Sequence, residues 1–259
     1  MTRKAAELFV ESEHRLALTG AGISVAAGIP DFRSPGGIWS RFEPDEFATI
    51  EAFLETPEKA WEFYRSLGET LAGRRPTRAH RALAELEALS LLAGLITQNI
   101  DGLHQDSGST RVFEVHGDHR SLECLRCGVS REFLPVDLSG GIPHCLECGF
   151  PLKPGVVLFG EQVREIEAVS QLVSECSVLL VIGTSAQVYP SGGIPDQVRH
   201  SGGRVFEFNR EETRITASAD FVFQGEIEET VPGFVAEVRR VIAEPLWARG
   251  FGTDSVESS

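Results

Sequence analysis

Residues 16–28 read LALTGAGISVAAG, an apolar run that ends on Thr19 and opens into Gly20-Ala21-Gly22. A buried parallel strand is a short, nearly continuous apolar run, and glycines at its carboxyl end let backbone amides approach a phosphate closely. The spacing departs from the usual dinucleotide fingerprint G-x-G-x-x-G, because Val25 stands at the third glycine position and the next glycine is Gly28. Taken alone, the stretch is as compatible with a plain strand-to-helix turn as with a phosphate loop. The rest of the chain has to decide between them.

Working outward, further apolar, β-branched runs lie at 92–97, 178–182, 205–209 and 221–223, and with 16–19 they read as five buried parallel strands. Helical stripes fall between them. The first is Ala79, Ala82, Leu83, Leu86 and Leu89 behind a Thr77 cap; the second is Val163, Ile166, Val169, Leu172 and Val173; the third is Val231, Phe234, Val235, Val238 and Ile242. Strand and helix in alternation predict an α/β fold with a doubly wound, Rossmann-like parallel sheet. Two stretches interrupt the alternation. Residues 34–75 carry aromatic-rich helical segments without strand signals, and residues 118–154 carry four of the five cysteines, so both are expected as insertions that together build a smaller lobe. The polar tail at 251–259 is expected to be disordered.

The four cysteines stand as Cys124/Cys127 and Cys145/Cys148, two Cys-x-x-Cys pairs with seventeen residues between them. Each pair can turn two sulfurs toward one ion, and two such knuckles complete a tetrahedral thiolate shell around zinc. Gly128 and Gly149 directly follow the pairs, where the chain must bend away from the metal. Two disulfides or a redox dithiol rank below zinc, because residues 1–10 read as a charged, amphipathic start and not as a secretory segment. Four thiolates leave no coordination position for water, so the metal of this zinc ribbon is expected to hold structure, and the chemistry must lie elsewhere. Cys176 falls on an apolar helical stripe and reads as a small core residue.

The chain of 259 residues, 42% hydrophobic, can bury a full core, and none of its apolar runs is long enough to span a bilayer. Its 38 acidic against 24 basic residues give a net charge of −14, which argues against a general affinity for nucleic acid or a membrane surface and fits a cytoplasmic enzyme. Polar groups gather at three more strand ends, where open α/β sheets collect ligands: Thr97-Gln98-Asn99-Ile100-Asp101, Gly183-Thr184-Ser185 and Asn209. A single polar strand end is usually a cap or a solvated turn, but four on one edge favour a nucleotide. Gly28-Ile29-Pro30-Asp31-Phe32-Arg33 adds an aromatic face and a cation suited to covering a reactive sugar.

The ordered blocks GAGIS (20–24), GIPDFRSPGGIW (28–39), TQNIDGLH (97–104), VHG (115–117), the cysteine array, VVLFGE (156–161), GTSAQVYPS (183–191) and FNRE (208–211) resemble the sirtuins, NAD-dependent protein lysine deacylases. Two departures are small: Ala186 stands where the family commonly has Leu, and 224–227 is a loose form of its last adenine-contacting segment. The resemblance implies a single sirtuin-type catalytic domain over 1–259, NAD and one structural zinc as cofactors, and an acetylated lysine-containing protein or peptide as partner. It implies a deacetylase in which the acyl oxygen attacks the nicotinamide ribose, nicotinamide leaves, and a histidine takes a ribose proton before lysine and O-acyl-ADP-ribose form. His116 matches that base, and the ordinary pKa of an imidazole suits the task. Asn99 and Asp101 are implied as catalytic partners that hold the ribose and the nicotinamide carboxamide, with Ile100 lining that pocket. Gly20, Ala21, Gly22, Val25, Gln98, Gly183, Thr184 and Ser185 are the implied phosphate and ribose contacts. Phe32 and Arg33 would cover the reacting sugar, and Asn209 and Ile227 would serve the adenosine end. The acyl-peptide is expected to enter as an added strand along Val157, Phe159, Gly160 and Glu161, with Gly192-Gly193 nearby on the other side.

Read without the resemblance, His116 would more often be a structural residue at a strand end, the class in which His14, His80, His104, His119, His144 and His200 remain. The alternative activities are protein ADP-ribosylation in the same cleft and deacylation of longer neutral chains; Asn99, Asp101 and His116 argue against a non-catalytic binding module. One helix bears on acyl choice. Sirtuins that prefer succinyl or malonyl groups resemble one another in a Tyr followed three residues later by Arg, and here Leu67 stands three after Tyr64. Arg65 does not substitute, because adjacent helical residues point about 100° apart. An acetyl preference is expected.

Overall fold

The run at 16–19 becomes strand β1 (Arg15–Thr19), whose last four residues are all buried because helices cover both faces of its sheet. The structure, a computed structural model, describes residues 1–32 and 34–245, so the expectations for Arg33 and for the tail at 251–259 lie outside the described residues. The later strands are β2 (Gly94–Thr97), β3 (Val112–Glu114), β4 (Gly117–Cys124), β5 (Ser130–Glu132), β6 (Leu152–Val156), β7 (Val178–Ile182), β8 (Arg204–Asn209) and β9 (Phe221–Gln224). Six of them form one sheet in the order β3-β2-β1-β7-β8-β9, parallel throughout. The chain winds outward through β2 and β3 on one side of β1, then through β7, β8 and β9 on the other. The switch point between β1 and β7 is where a doubly wound sheet opens a crevice at its carboxyl edge.

Alternate residues of each strand feed the two faces. Ala17, Leu180 and Phe206 join Phe9, Leu83 and Phe234 from the helices Thr2–Glu11, Arg78–Ala88 and Ile227–Ala243. Leu16, Leu18 and Val181 join Val169, Val173 and Val198 from Ile166–Ser174 and Ile194–His200. Thr77 caps its helix as expected, accepting the His80 N–H while His80 Nδ1 accepts the Thr77 N–H.

The helical stripes differ from expectation at their ends. Val163 precedes its helix, and Leu89 follows Ala88 and is exposed. Val241 takes the inward place expected of Ile242, since residues three and four after Val238 both satisfy a 3.6-residue period. Cys176 lies between Ser174 and β7 instead of on a helix, although it is buried.

The smaller lobe combines the helices Pro44–Phe47, Ile50–Glu55 and Pro57–Leu71 with an antiparallel sheet ordered β5-β4-β6. Phe53, Trp61 and Tyr64 pack against Leu122, Cys145 and Leu152 in one apolar cluster. Trp61 satisfies its buried indole by donating to the Leu152 carbonyl at 2.8 Å. Gly117 turns the chain from β3 into β4 with φ +73°, where a Cβ would stand 2.0 Å from the Gly155 carbonyl oxygen.

Candidate active site

At the switch point two loops pack backbone on backbone. Gly20 N–H donates to the Ile182 carbonyl at 3.0 Å and Gly22 N–H to the Gly183 carbonyl at 2.9 Å. A Cβ on Gly20 would lie 2.7 Å from Thr184 Cβ, and one on Gly22 2.7 Å from Gly183 Cα, so the close approach requires glycine at both positions. The displaced third glycine has a reason: Gly28, at φ 80°, closes a 3-10 helix over Ala21–Ala27 where an ordinary helix is usual.

Beside these loops a cleft of about 870 Å³ is lined by residues of both lobes. Ala21, Gly22, Val25 and Phe32 meet Gln98, Asn99 and Ile100 along it, and Gly183, Thr184 and Ser185 close that wall. Asn209 and Ile227 also face the cleft, and so do His116, Val157, Phe159, Gly160 and Glu161. Gly20 and Asp101 do not line it. Gly20 stands behind the lining with its carbonyl accepting from Asn99 Nδ2 at 3.2 Å, and Asp101 is knitted into the wall. Ser24 donates to Asp101 Oδ2 at 2.6 Å and Leu103 N–H to Oδ1 at 3.0 Å, while Asn99 Nδ2 also donates to Ser24 Oγ at 3.2 Å. Burial raises the Asp101 carboxyl above its ordinary value, and the Ser24 hydroxyl and Leu103 amide pull against that rise.

His116 Nδ1 lies 3.0 Å from the Gln98 carbonyl. A carbonyl only accepts, so Nδ1 carries the proton of the neutral ring and Nε2 is the atom left to take one up. Burial lowers the imidazole's pKa, offset in part by the same carbonyl, and this keeps the ring neutral and competent as a base. The Gln98 side chain links the loops as well, accepting from Thr184 Oγ1 at 2.7 Å and donating to Ser191 Oγ at 2.8 Å. Ser24 and Ser191 therefore support the site; in the sequence they stood inside the GAGIS and GTSAQVYPS blocks with nothing to single out their hydroxyls. His119, grouped with the structural histidines, supports the same wall, with Nδ1 2.6 Å from the Ile100 carbonyl.

The segment at 157–161 is already partly paired within the chain. Phe159 N–H donates to the Ala48 carbonyl at 2.9 Å, and its carbonyl accepts from Ile50 N–H at 3.0 Å. Leu158 N–H donates to the Glu161 carboxylate at 2.8 Å, and Glu161 in turn pairs with the buried Lys153 ammonium at 3.1 Å. Phe63 and Leu67 line the cleft next to Trp39, whose ring stacks on Phe63 at 5.5 Å. Tyr64 is buried behind them, its hydroxyl without a hydrogen-bond partner among the described residues, and Arg65 donates to the Gly140 carbonyl.

In the ribbon, the four cysteine sulfurs lie within 4.8 Å of one another. Cys124 to Cys148 is 3.4 Å and Cys127 to Cys145 is 3.5 Å, too long for disulfides of about 2.05 Å and suited to thiolates gathered round one ion at about 2.3 Å. Among the described residues no helix is long and apolar enough to cross a membrane.

The Sir2 family profile matches residues 20–190. NAD-dependent protein deacylase 2 of Pyrobaculum aerophilum is 44% identical over 237 residues, which are 91% of this chain and 95% of that protein. The NAD-dependent protein deacetylase of Sulfurisphaera tokodaii is 43% identical over 240 residues, again 91% and 95% of the two chains. Among solved structures, a mutant Sir2 homologue in complex with 2'-O-acetyl ADP ribose is similar with a TM-score of 0.90 at 39% identity, covering 95% of this chain and 100% of that one.

Proposed function

This chain belongs to the Sir2 family, and we propose that its cleft binds NAD along the loops at 20–25, 98–101 and 183–185, with the acyl-lysine peptide against 157–161. The protein is an NAD-dependent protein deacetylase, with a zinc ion held by Cys124, Cys127, Cys145 and Cys148. NAD, when bound, supplies an electrophilic anomeric carbon that the acyl oxygen can attack as nicotinamide departs. The chain's own residues do the rest. His116 Nε2 takes the ribose proton, because the Gln98 carbonyl fixes the ring's own proton on Nδ1. Asn99, tied to Gly20 and Ser24, and Asp101, tied to Ser24 and Leu103, hold the nicotinamide side in place. Phe32, in contact with Trp39 at 5.2 Å, keeps water from the reacting sugar, with Arg33 assigned beside it on the motif alone. Asn209 and Ile227 receive the adenosine end. A cytoplasmic location suits a protein whose metal shell depends on reduced thiols.

The fixed tautomer of His116, in a cleft shared with the glycine loops, carries this reading. Incubation with labelled NAD and an acetyl-lysine peptide is expected to yield O-acetyl-ADP-ribose and nicotinamide. His116→Ala is expected to lose roughly two or more orders of magnitude in turnover while NAD binding is retained. Near-full turnover by that variant would overturn the assignment.

A further inference from the structure

The loop from β7 to the helix Ile194–His200 starts with Thr184 and Ser185, which line the cleft, and ends with Gly192-Gly193, the edge expected beside the acyl-peptide. Arg214, which belongs to no motif, clasps this loop through the whole of its guanidinium. Its Nε donates to the Ala186 carbonyl at 3.0 Å, its Nη2 to the Gly192 carbonyl at 2.6 Å and its Nη1 to Asp196 at 2.8 Å. The same group lies 5.8 Å from the centroid of the Tyr189 ring. A planar fork can meet these partners together, whereas the compact ammonium of lysine cannot.

The clasp sits where the loop is held under strain. Ala186 is fully buried at φ 53°, a left-handed conformation that brings its Cβ close to the following carbonyl oxygen. A Cβ on Gly192 would stand 2.5 Å from the Ala186 carbonyl oxygen, so the two residues whose carbonyls Arg214 receives are pressed against each other. The start of the loop has separate support: Thr184 is bonded to Gln98, and its carbonyl accepts from Asn209 Nδ2 at 3.2 Å. The end of the loop is anchored beside Gly192 by Gln98, which donates to Ser191 Oγ at 2.8 Å; Gly192 itself is held by its N–H to the Val188 carbonyl at 2.6 Å within the loop and by Arg214 on its carbonyl.

We propose that Arg214 is a positioning residue that holds Gly192-Gly193 in the form that receives the acyl-peptide backbone; this rests on the reading of that edge as the peptide slot. Arg214→Ala is expected to raise KM for an acetyl-lysine peptide about tenfold, as loss of charge-assisted hydrogen bonds would, leaving kcat and KM for NAD within about twofold. Arg214→Lys is expected to keep most of the defect, and Asp196→Ala, which removes only the outer partner, to change little. Gly193→Val tests the slot itself by placing a side chain on its edge. If Gly193→Val raises peptide KM and Arg214→Ala does not, the clasp is wrong and the slot stands. If neither moves it, the slot reading falls and the clasp with it. Full recovery in Arg214→Lys, or equal losses in kcat, peptide KM and NAD KM for Arg214→Ala, would also overturn the proposal.

Discussion

At Leu67 the choice of acyl group comes down to one side chain. Leu67 and Phe63 face the cleft, Tyr64 packs behind them, and Arg65 is spent on the Gly140 carbonyl. A carboxylate at the end of an acyl chain would therefore meet an apolar wall at Phe63 and Leu67, with no guanidinium from this helix facing the cleft among the described residues, and a desolvated charge without a partner costs on the order of several kcal/mol. Matched peptides are expected to show kcat/KM for acetyl-lysine at least about 100-fold above that for succinyl-lysine. A succinyl value equal to the acetyl one would refute this. The absence of Arg at 67 was legible because i, i+3 neighbours follow from spacing alone. The withdrawal of Tyr64 was not, since it depends on packing against Phe53 from the preceding helix as well as on Trp61, one turn earlier on its own helix. Arg214 was illegible for another reason: its partners are backbone carbonyls 22 and 28 residues away, and a carbonyl leaves no mark in a sequence.

Among the elements, the ribbon is the one whose integrity decides whether the cleft keeps its shape. Cys124 and Cys145 are buried in the same apolar cluster as Trp61 and Leu152, and β6 carries Lys153, whose ammonium holds Glu161 at 3.1 Å and the Val156 carbonyl at 2.7 Å. Loss of the ion would loosen β6 and, through Lys153, the segment at 157–161. About one zinc per chain is expected, and Cys145→Ala should lose solubility and turnover together, because binding free energy of a structural site is folding free energy. Soluble, active protein without zinc would contradict this, and so would chelation that stopped turnover with the fold intact. The ribbon was legible from cysteine spacing, and five of the six strands of the parallel sheet from apolar runs. Strand β3 was harder to see: three half-buried residues at a sheet edge leave little pattern, although they deliver His116 to the cleft.

For the molecule as a whole, buried imidazoles tie stability to acidity. Burial pushes His80 down to about 3, with the Arg81 charge adding to it, and pushes His104 well below its ordinary value, with His80 contributing. The two rings lie 4.6 Å apart, between the helix Arg78–Ala88 and the sheet, and His104 Nε2 is 2.9 Å from Thr19 Oγ1. Thr19 bonds Thr97, and Thr97 Oγ1 accepts the Asn99 N–H, so the pair lies beneath the loop that carries Asn99 to the cleft. The unfolded chain takes up these protons below a pH of about 6.5 and the folded chain does not. Folding therefore keeps their full contribution above that pH and loses it as pH falls toward the folded values, by up to about 1.4 kcal/mol per unit for each ring. Asp101, whose folded pKa is raised, works in the opposite direction over the carboxylate range, so it softens the loss only at lower pH. Tm is expected to fall steadily from pH 7 to pH 5. His80→Gln should start from a lower Tm, having lost the bond to Thr77, yet fall with a slope shallower by about one bound proton. An unchanged slope in that variant would show that His80 titrates as freely in the folded protein as in the unfolded chain, and the link between the histidine pair and acid lability would be broken.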